Sequence, residues 1–268
     1  MIKPTLRQSL WNDTLELFYF GLDGFRYWYE LRSVLCDSLG YSEVATEALG
    51  NLSEICSGLG FGEVLMPSPE NKVRLIKATE IPNRIKCSST ANLWRGIKAD
   101  GLQRIPRGSA FAMLGGDCPI GLMQDSNTKE ICAGHICREN MTNGLSSMAD
   151  AMFSTFGSSC GTLKTFIGCG INPKHFVHRW DDPKFGEMNR ELTERIIGLY
   201  GRQAIVGSYK KGCIDLKALW FAALKRSSKV SVWDMETDDV DTYGDHSYGS
   251  NRRDGISSRN LVLAINRA

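Results

Sequence analysis

The feature that most constrains this chain is an alternation of short apolar runs, closed off by turn residues, with longer segments of helical periodicity. Ser109–Leu114, Ile120–Gln124 and Glu130–Ile136 are short apolar runs separated by turn formers, with Asp125-Ser126-Asn127 the clearest turn. They read as a strand meander. Residues 42–58 instead carry Val44, Ala48, Leu49, Leu52 and Ile55 at helical spacing, with Ser42 as a candidate N-cap and Gly58 as a terminator. A chain that mixes the two periods folds as a mixed α and β domain. Residues 73–87 read as extended with a break at Pro82, since proline donates no ladder hydrogen bond. Helices are expected over 143–156, over 185–200 with Phe185, Met188, Leu192, Ile196 and Tyr200 on one face, and over 215–226 with Asp215 as N-cap. Leu163–Gly168, Val230–Trp233 and Leu261–Ile265 read as strands. No repeat, low-complexity segment or linker divides the 268 residues, so one domain over 1–268 is expected.

Charge and composition narrow the function. Hydrophobic residues make up 42% and charged residues 23%, an ordinary globular balance. A net charge of +2 leaves no electrostatic footprint for nucleic acid or an anionic membrane. No apolar run reaches the ~18–20 residues that span a bilayer, and Leu17–Leu22 is far too short. Met1-Ile2-Lys3-Pro4 lacks the basic-then-apolar form of a secretory signal. The nine cysteines are odd in number and irregular in spacing, which argues for free thiols, mostly buried, and a reducing cytoplasmic setting. The six carboxylates between Asp234 and Asp245 match no calcium-loop pattern and read as a solvated loop.

Reactive side chains are densest between residues 115 and 139, in Gly115-Gly116-Asp117-Cys118-Pro119 and Glu130-Ile131-Cys132-Ala133-Gly134-His135-Ile136-Cys137-Arg138-Glu139. Paired strands would bring Cys118 and His135 to neighbouring strand ends. A thiol beside an imidazole can pass its proton to it and act as a nucleophile. The same pair can ligate zinc. Cys132 and Cys137 face opposite sides of an extended strand and are assigned to packing. His175, His178 and His246 read as ordinary polar residues. Arg252, Arg253 and Arg259 could cradle an anion.

Four segments, in order, resemble the laccase-domain (multicopper polyphenol oxidase, YfiH-like) family. They are Ala99-Asp100-Gly101-Leu102 with Gly116-Asp117-Cys118-Pro119; Ala133-Gly134-His135; Ile167-Gly168-Cys169-Gly170-Ile171-Asn172-Pro173 through Phe176; and Ser250-Asn251-Arg252-Arg253 through Ser258-Arg259. The spacing of 17 residues between Cys118 and His135 also matches the family pattern. The resemblance spans residues 73–268 and leaves 1–70 poorly matched. It implies an α/β sandwich, a mixed central sheet with helices packed against it. It implies activity on a small molecule, a purine nucleoside, by phosphorolysis or deamination, with Cys118 and His135 catalytic and Arg252, Arg253 and Arg259 binding substrate. It also implies a zinc site of Cys118, His135 and a further ligand.

The family's first histidine ligand has no counterpart here, and Glu80 is the nearest replacement, with Cys87 second. Four histidines in the whole chain argue against multicopper chemistry. Where the family pattern carries Trp-Arg after its histidine, this chain has Arg138-Glu139, which weakens the case for phosphate. Related deamidases use a cysteine nucleophile and a histidine base, so a metal-free cysteine hydrolase is the alternative. A third is a non-enzymatic descendant that kept the fold and lost the site.

Overall fold

A strand buried on both faces needs cover on both sides, and Ile120–Asp125 is buried at every position. The architecture follows from that need. The computed structural model describes residues 2–21, 43–86, 91–143, 146–156, 162–208, 212–226, 231–255 and 259–268. In chain order its strands are β1 (Leu6–Leu10), β2 (Leu15–Phe20), β3 (Glu63–Leu65), β4 (Leu75–Ile76), β5 (Asn83–Lys86), β6 (Asn92–Arg95), β7 (Gly101–Leu102), β8 (Ser109–Gly115), β9 (Ile120–Asp125), β10 (Ile131–His135), β11 (Thr162–Ile167), β12 (Ile205–Val206), β13 (Cys213–Ile214), β14 (Ser231–Thr237) and β15 (Asn260–Asn266). The helices are α1 (Glu43–Leu59), α2 (Arg138–Met141), α3 (Met148–Ser154), α4 (Gly186–Tyr200), α5 (Leu216–Arg226) and α6 (Asn251–Asp254).

Two mixed sheets carry the fold. One has seven strands in the order β1-β2-β15-β8-β3-β6-β5, the other six in the order β14-β11-β9-β10-β7-β4. Leu17, Phe111, Met113 and Val262 of the first meet Leu122, Ala133 and Phe166 of the second in a core between the sheets. The outer face of the first sheet, with Phe18, Phe20, Ala112 and Leu263, is covered by Leu52, Ile55 and Cys56 of α1. The outer face of the second, with Met123, Cys132 and Leu163, is covered by Met148 and Met152 of α3, Ile196 of α4, and Leu219 and Trp220 of α5. Trp220 is fully buried, and burying a side chain of this kind contributes roughly 1.5–3 kcal/mol. The result is a sandwich of two sheets between two helical layers, a mixed α/β fold as expected.

Local signals account for many of the elements. Asp215 Oδ1 accepts the N–H groups of Lys217 and Ala218 at 3.0 and 2.9 Å and caps α5. Ser147 and Asp150 form a reciprocal capping box that starts α3; this helix is shorter than the 143–156 expected, and residues 144 and 145 lie outside the described residues. Around Pro82 the extended segment does break: β4 joins the six-stranded sheet and β5 the seven-stranded one. Val230, expected to begin a strand, also lies outside the described residues, and the strand runs Ser231–Thr237.

Three expectations are corrected. The three apolar runs do not form one meander, because β8 pairs with β15 and β3 while β9 pairs with β10 and β11. Gly116–Pro119 therefore crosses from one sheet to the other. All the residues of β9 and β10 are buried, so pairing is decided by which sheet covers them and not by nearness in sequence. On α4, Ile196 and Tyr200 face inward, but Phe185 and Met188 are 44% and 51% exposed, because the buried face at this end runs through Gly186, Asn189 and Thr193 instead. The acidic stretch is not a simple solvated loop. Asp238 and Thr242 are buried, and Asp241 accepts the N–H groups of Asn172 and Tyr243 at 2.9 and 3.1 Å.

Candidate functional site

The crossing segment Gly116–Pro119 carries Cys118, and it is held by a buried carboxylate. Asp117 accepts hydrogen bonds from Ser250 Oγ at 2.6 Å, Thr242 Oγ1 at 3.3 Å and the Arg252 backbone N–H at 2.8 Å. Ser250 also caps α6 through the N–H of Arg253. One aspartate thus ties the Cys118 segment to the helix that carries Arg252.

His135 comes from the end of β10. Its N–H donates to the Asp100 carbonyl at 2.7 Å, and its Nδ1 lies 3.4 Å from the Asp100 carboxylate, with side chains 7% and 0% exposed. The same carboxylate accepts the N–H groups of Glu70, Asn71 and Lys72 at 3.3, 2.9 and 3.0 Å. Asp100 therefore orients the histidine and fixes the loop beneath it. This approach needs a glycine at 101, because a Cβ there would stand 2.1 Å from the Ala133 carbonyl oxygen.

Cys118 and His135 line the same cavity, with the thiol close enough to the imidazole to act on its proton. Burial acts to lower the His135 pKa. The Asp100 carboxylate, with Cys118 beside the ring, outweighs it and holds the imidazolium up to about 9.

Cys118, His135, Arg138, Glu139, Arg252 and Arg259 line one open cavity of about 330 Å³, together with Arg95, Asp117, Phe176 and the loop Met66–Pro69. Arg138 pairs with Glu139 at 2.6 Å. Burial works to raise the Glu139 carboxyl, but the Arg138 guanidinium outweighs it and holds it below the usual range. Arg252 lies over the Phe176 ring at 5.1 Å and donates to the Val177 carbonyl at 3.2 Å. Arg259 donates to Asn251 Oδ1 at 3.1 Å. The cavity is open, and its wall mixes these polar groups with Met66, Leu114 and Phe176.

Of the residues singled out in sequence, Cys118, His135, Arg252 and Arg259 come together here. Arg253 does not. Its guanidinium turns away to the carbonyls of Thr242, Tyr243 and Tyr248 and to Asp254, where it holds the loop before α6. Glu80 is also elsewhere. It is exposed on the turn Ala78–Glu80, and its carboxylate caps the Lys77 N–H at 2.7 Å. Cys87 lies outside the described residues. Cys132 sits in the helix-side core, where burial pushes its thiol up to about 12. His178 is buried with Nδ1 near the Phe176 and Gly212 carbonyls, His175 stacks on Tyr243 at 4.3 Å, and His246 is exposed.

The role of Asp100 was missed in sequence, although its segment was noticed. Its signal is a single carboxylate at the start of a short apolar run, a residue type rarely buried without a partner. Arg95, 3% exposed and donating to Ser68 Oγ at 3.0 Å, gave no signal at all.

A family profile described as multi-copper polyphenol oxidoreductase laccase matches residues 47–266. The chain belongs to that family. Among solved structures, this laccase-family chain resembles Neisseria meningitidis protein NMB0706 of family DUF152, with a TM-score of 0.68 and 17% identity over 99% of this chain and 100% of that one. It also resembles the hypothetical protein YfiH of Bacillus licheniformis, with a TM-score of 0.61 and 14% identity over 93% and 92% of the two chains. YlmD of Geobacillus stearothermophilus aligns with a TM-score of 0.58 and 17% identity over 83% and 81%. At these identities the likeness establishes the fold. No curated protein matches the chain.

Zinc in a catalytic site takes three protein ligands and an open position. In this laccase-family chain Cys118 and His135 offer two donors, and the His135 Nδ1 is committed to Asp100. Among the described residues no group of three His, Cys, Asp or Glu side chains is placed to hold a metal ion. The described donors therefore do not fit a zinc centre. Nor is any helix among the described residues long and apolar enough to cross a membrane.

Proposed function

We propose that this chain is an enzyme that hydrolytically removes an amino group from a purine nucleoside, with Cys118 as nucleophile, His135 as acid and base, and Asp100 orienting His135. The observation that carries this reading is a thiol and an imidazole at one cavity, with a buried carboxylate behind the imidazole. The substrate class is the one the family resemblance implies. The cavity volume, about 330 Å³, suits a small molecule.

The chemistry balances without a metal. His135 accepts the Cys118 proton, and the thiolate adds to the ring carbon that bears the amino group. His135 returns the proton to the departing nitrogen, which leaves as ammonia. Water adds to the same carbon as His135 takes its proton, and the sulfur departs as the thiol. The arginines of the cavity wall stabilise negative charge that develops on the ring. Glu139 stands in the same wall beside Arg138 and opposes a phosphate dianion, so hydrolysis is proposed over phosphorolysis.

The same steps operate on a carboxamide. That second reading is favoured by the Asp100–His135 contact, the orienting element of cysteine hydrolases.

Ammonia release from aminopurine nucleosides and from glutamine-containing peptides tests both readings. Cys118→Ala and His135→Ala are expected to lower the rate about 10²–10⁴-fold while the circular dichroism spectrum is kept. Ammonia from peptides alone selects the second reading. A Cys118→Ala protein with undiminished release ends both.

A further inference from the structure

Cys137 was assigned to packing, but its place in the ladder gives it another possibility. β10 pairs with β9 in a register that places His135 opposite Ile120. The pairing continues one step, with the Ile136 N–H donating to the Pro119 carbonyl at 2.9 Å. Cys137 keeps an extended backbone, with φ −127° and ψ 165°. It therefore stands directly across from Cys118. The hydrogen-bonded partners are Ile136 and Pro119, so Cys137 and Cys118 occupy the adjacent non-hydrogen-bonded position. Such partners bring Cα atoms to about 4.5 Å, inside the ~4.4–6.8 Å range that a disulfide spans. Both thiols are free. Their surroundings differ. Cys118 is half-buried and lines the open cavity, whereas Cys137 is 1% exposed.

We infer that Cys118 and Cys137 form a reversible oxidation site, in which a hydroperoxide entering the cavity oxidises Cys118 and Cys137 resolves it as a disulfide. This rests on the reactivity of Cys118 assumed for the proposed function, and adds a partner that reading does not use.

The steps are those of thiol oxidation. The Cys118 thiolate attacks the peroxide oxygen, forming a sulfenic acid and releasing hydroxide, or an alkoxide from an organic hydroperoxide. The Cys137 sulfur then displaces the sulfenic hydroxyl, so an S–S bond forms and an S–O bond breaks. The Cys137 proton leaves with that hydroxyl as water. Glu139, two residues further on and facing the same cavity, is placed to carry it. Burial holds the Cys137 thiol well above the usual range, and a charge on Cys118 raises it further. A dithiol restores both thiols. While the disulfide stands, Cys118 has no nucleophile and the enzyme is off.

The test is peptide mapping of the full chain after brief exposure to hydrogen peroxide, without reductant, beside Cys137→Ser and Cys132→Ser variants. The expected result is a Cys118–Cys137 crosslinked peptide in the wild type and in Cys132→Ser, removed by dithiothreitol. In Cys137→Ser, Cys118 is expected to be trapped as sulfenic acid by dimedone and then to pass to the sulfinic acid. Wild-type protein that overoxidises at Cys118 with no crosslink overturns the inference, as does a crosslink from Cys118 to any other cysteine. The readout is mass, so an inactive protein that crosslinks sinks the proposed function alone.

Discussion

Nδ1 of His135 lies 3.4 Å from Oδ1 of Asp100, and both side chains are buried. This contact joins β10 to the segment entering β7, and it places a carboxylate behind the imidazole that meets Cys118. A histidine so held keeps one ring nitrogen occupied and turns the rest of the ring toward the cavity.

Asp100→Asn removes that charge and keeps an acceptor for the loop 70–72. The His135 titration, read by NMR, is expected to move down from about 9. Turnover is expected to fall about 10²–10⁴-fold, with the pH optimum displaced in the same direction. An unmoved His135 titration counts against Asp100 as its positioning residue.

Two buried histidines give stability opposite pH windows. His135 has its pKa raised to about 9, so its contribution is complete below the ordinary value near 6.5 and is lost as pH rises through 9. His178 has its pKa lowered to about 4, first by burial and then by Arg138 and Arg252. Its contribution is present above pH ~6.5 and is lost as pH falls through 4, on the order of 3 kcal/mol in full. Urea midpoints are therefore expected to decline on both sides of neutrality. His135→Gln is expected to flatten the alkaline limb and His178→Gln the acid limb.

Gly101→Ala places a methyl against the Ala133 carbonyl, with Leu75 and Gly134 also within 3 Å. Backbone has to shift, so a loss of about 1–3 kcal/mol is expected by thermal unfolding. The shift also separates Asp100 from His135, so turnover is expected to fall further than stability alone explains. Wild-type turnover in a destabilised protein rules out this coupling.

The two arginines separate binding from scaffolding. Arg259→Ala removes a cation from the cavity wall and is expected to raise KM about tenfold or more, with little change in Tm. Arg253→Ala instead strips part-buried carbonyls of their donor and is expected to lower stability by about 1–3 kcal/mol. Exchanged phenotypes contradict the placement of these side chains.

Since the described donors do not complete a zinc site, prolonged dialysis against a chelator is expected to leave turnover unchanged. Metal analysis of the same samples gives the second readout, with well under one zinc per chain expected. Activity lost with the metal and recovered with zinc overturns this.

The helices over Glu43–Leu59, Gly186–Tyr200 and Leu216–Arg226, the break at Pro82 and the closing strand around Leu261–Ile265 were all legible in the sequence. Each depends on periodicity, capping or a missing N–H within a few residues, so local physics decides it. The spacing of Cys118 and His135 was legible because one hairpin, β9 to β10, sets it. What the chain alone left open depends on remote partners. β8 and β9 are neighbours in sequence but belong to different sheets, because each is covered by segments far away. Asp100, Asp117 and Arg253 look alike as surface charges until folding buries them against particular donors and carbonyls. Glu80 looks like a ligand until a local turn takes its carboxylate. Cys137 looks like a packing residue until the register sets it across from Cys118. Pairing and burial are properties of contacts made across the whole fold, so only the tertiary structure decides which of these side chains face the cavity.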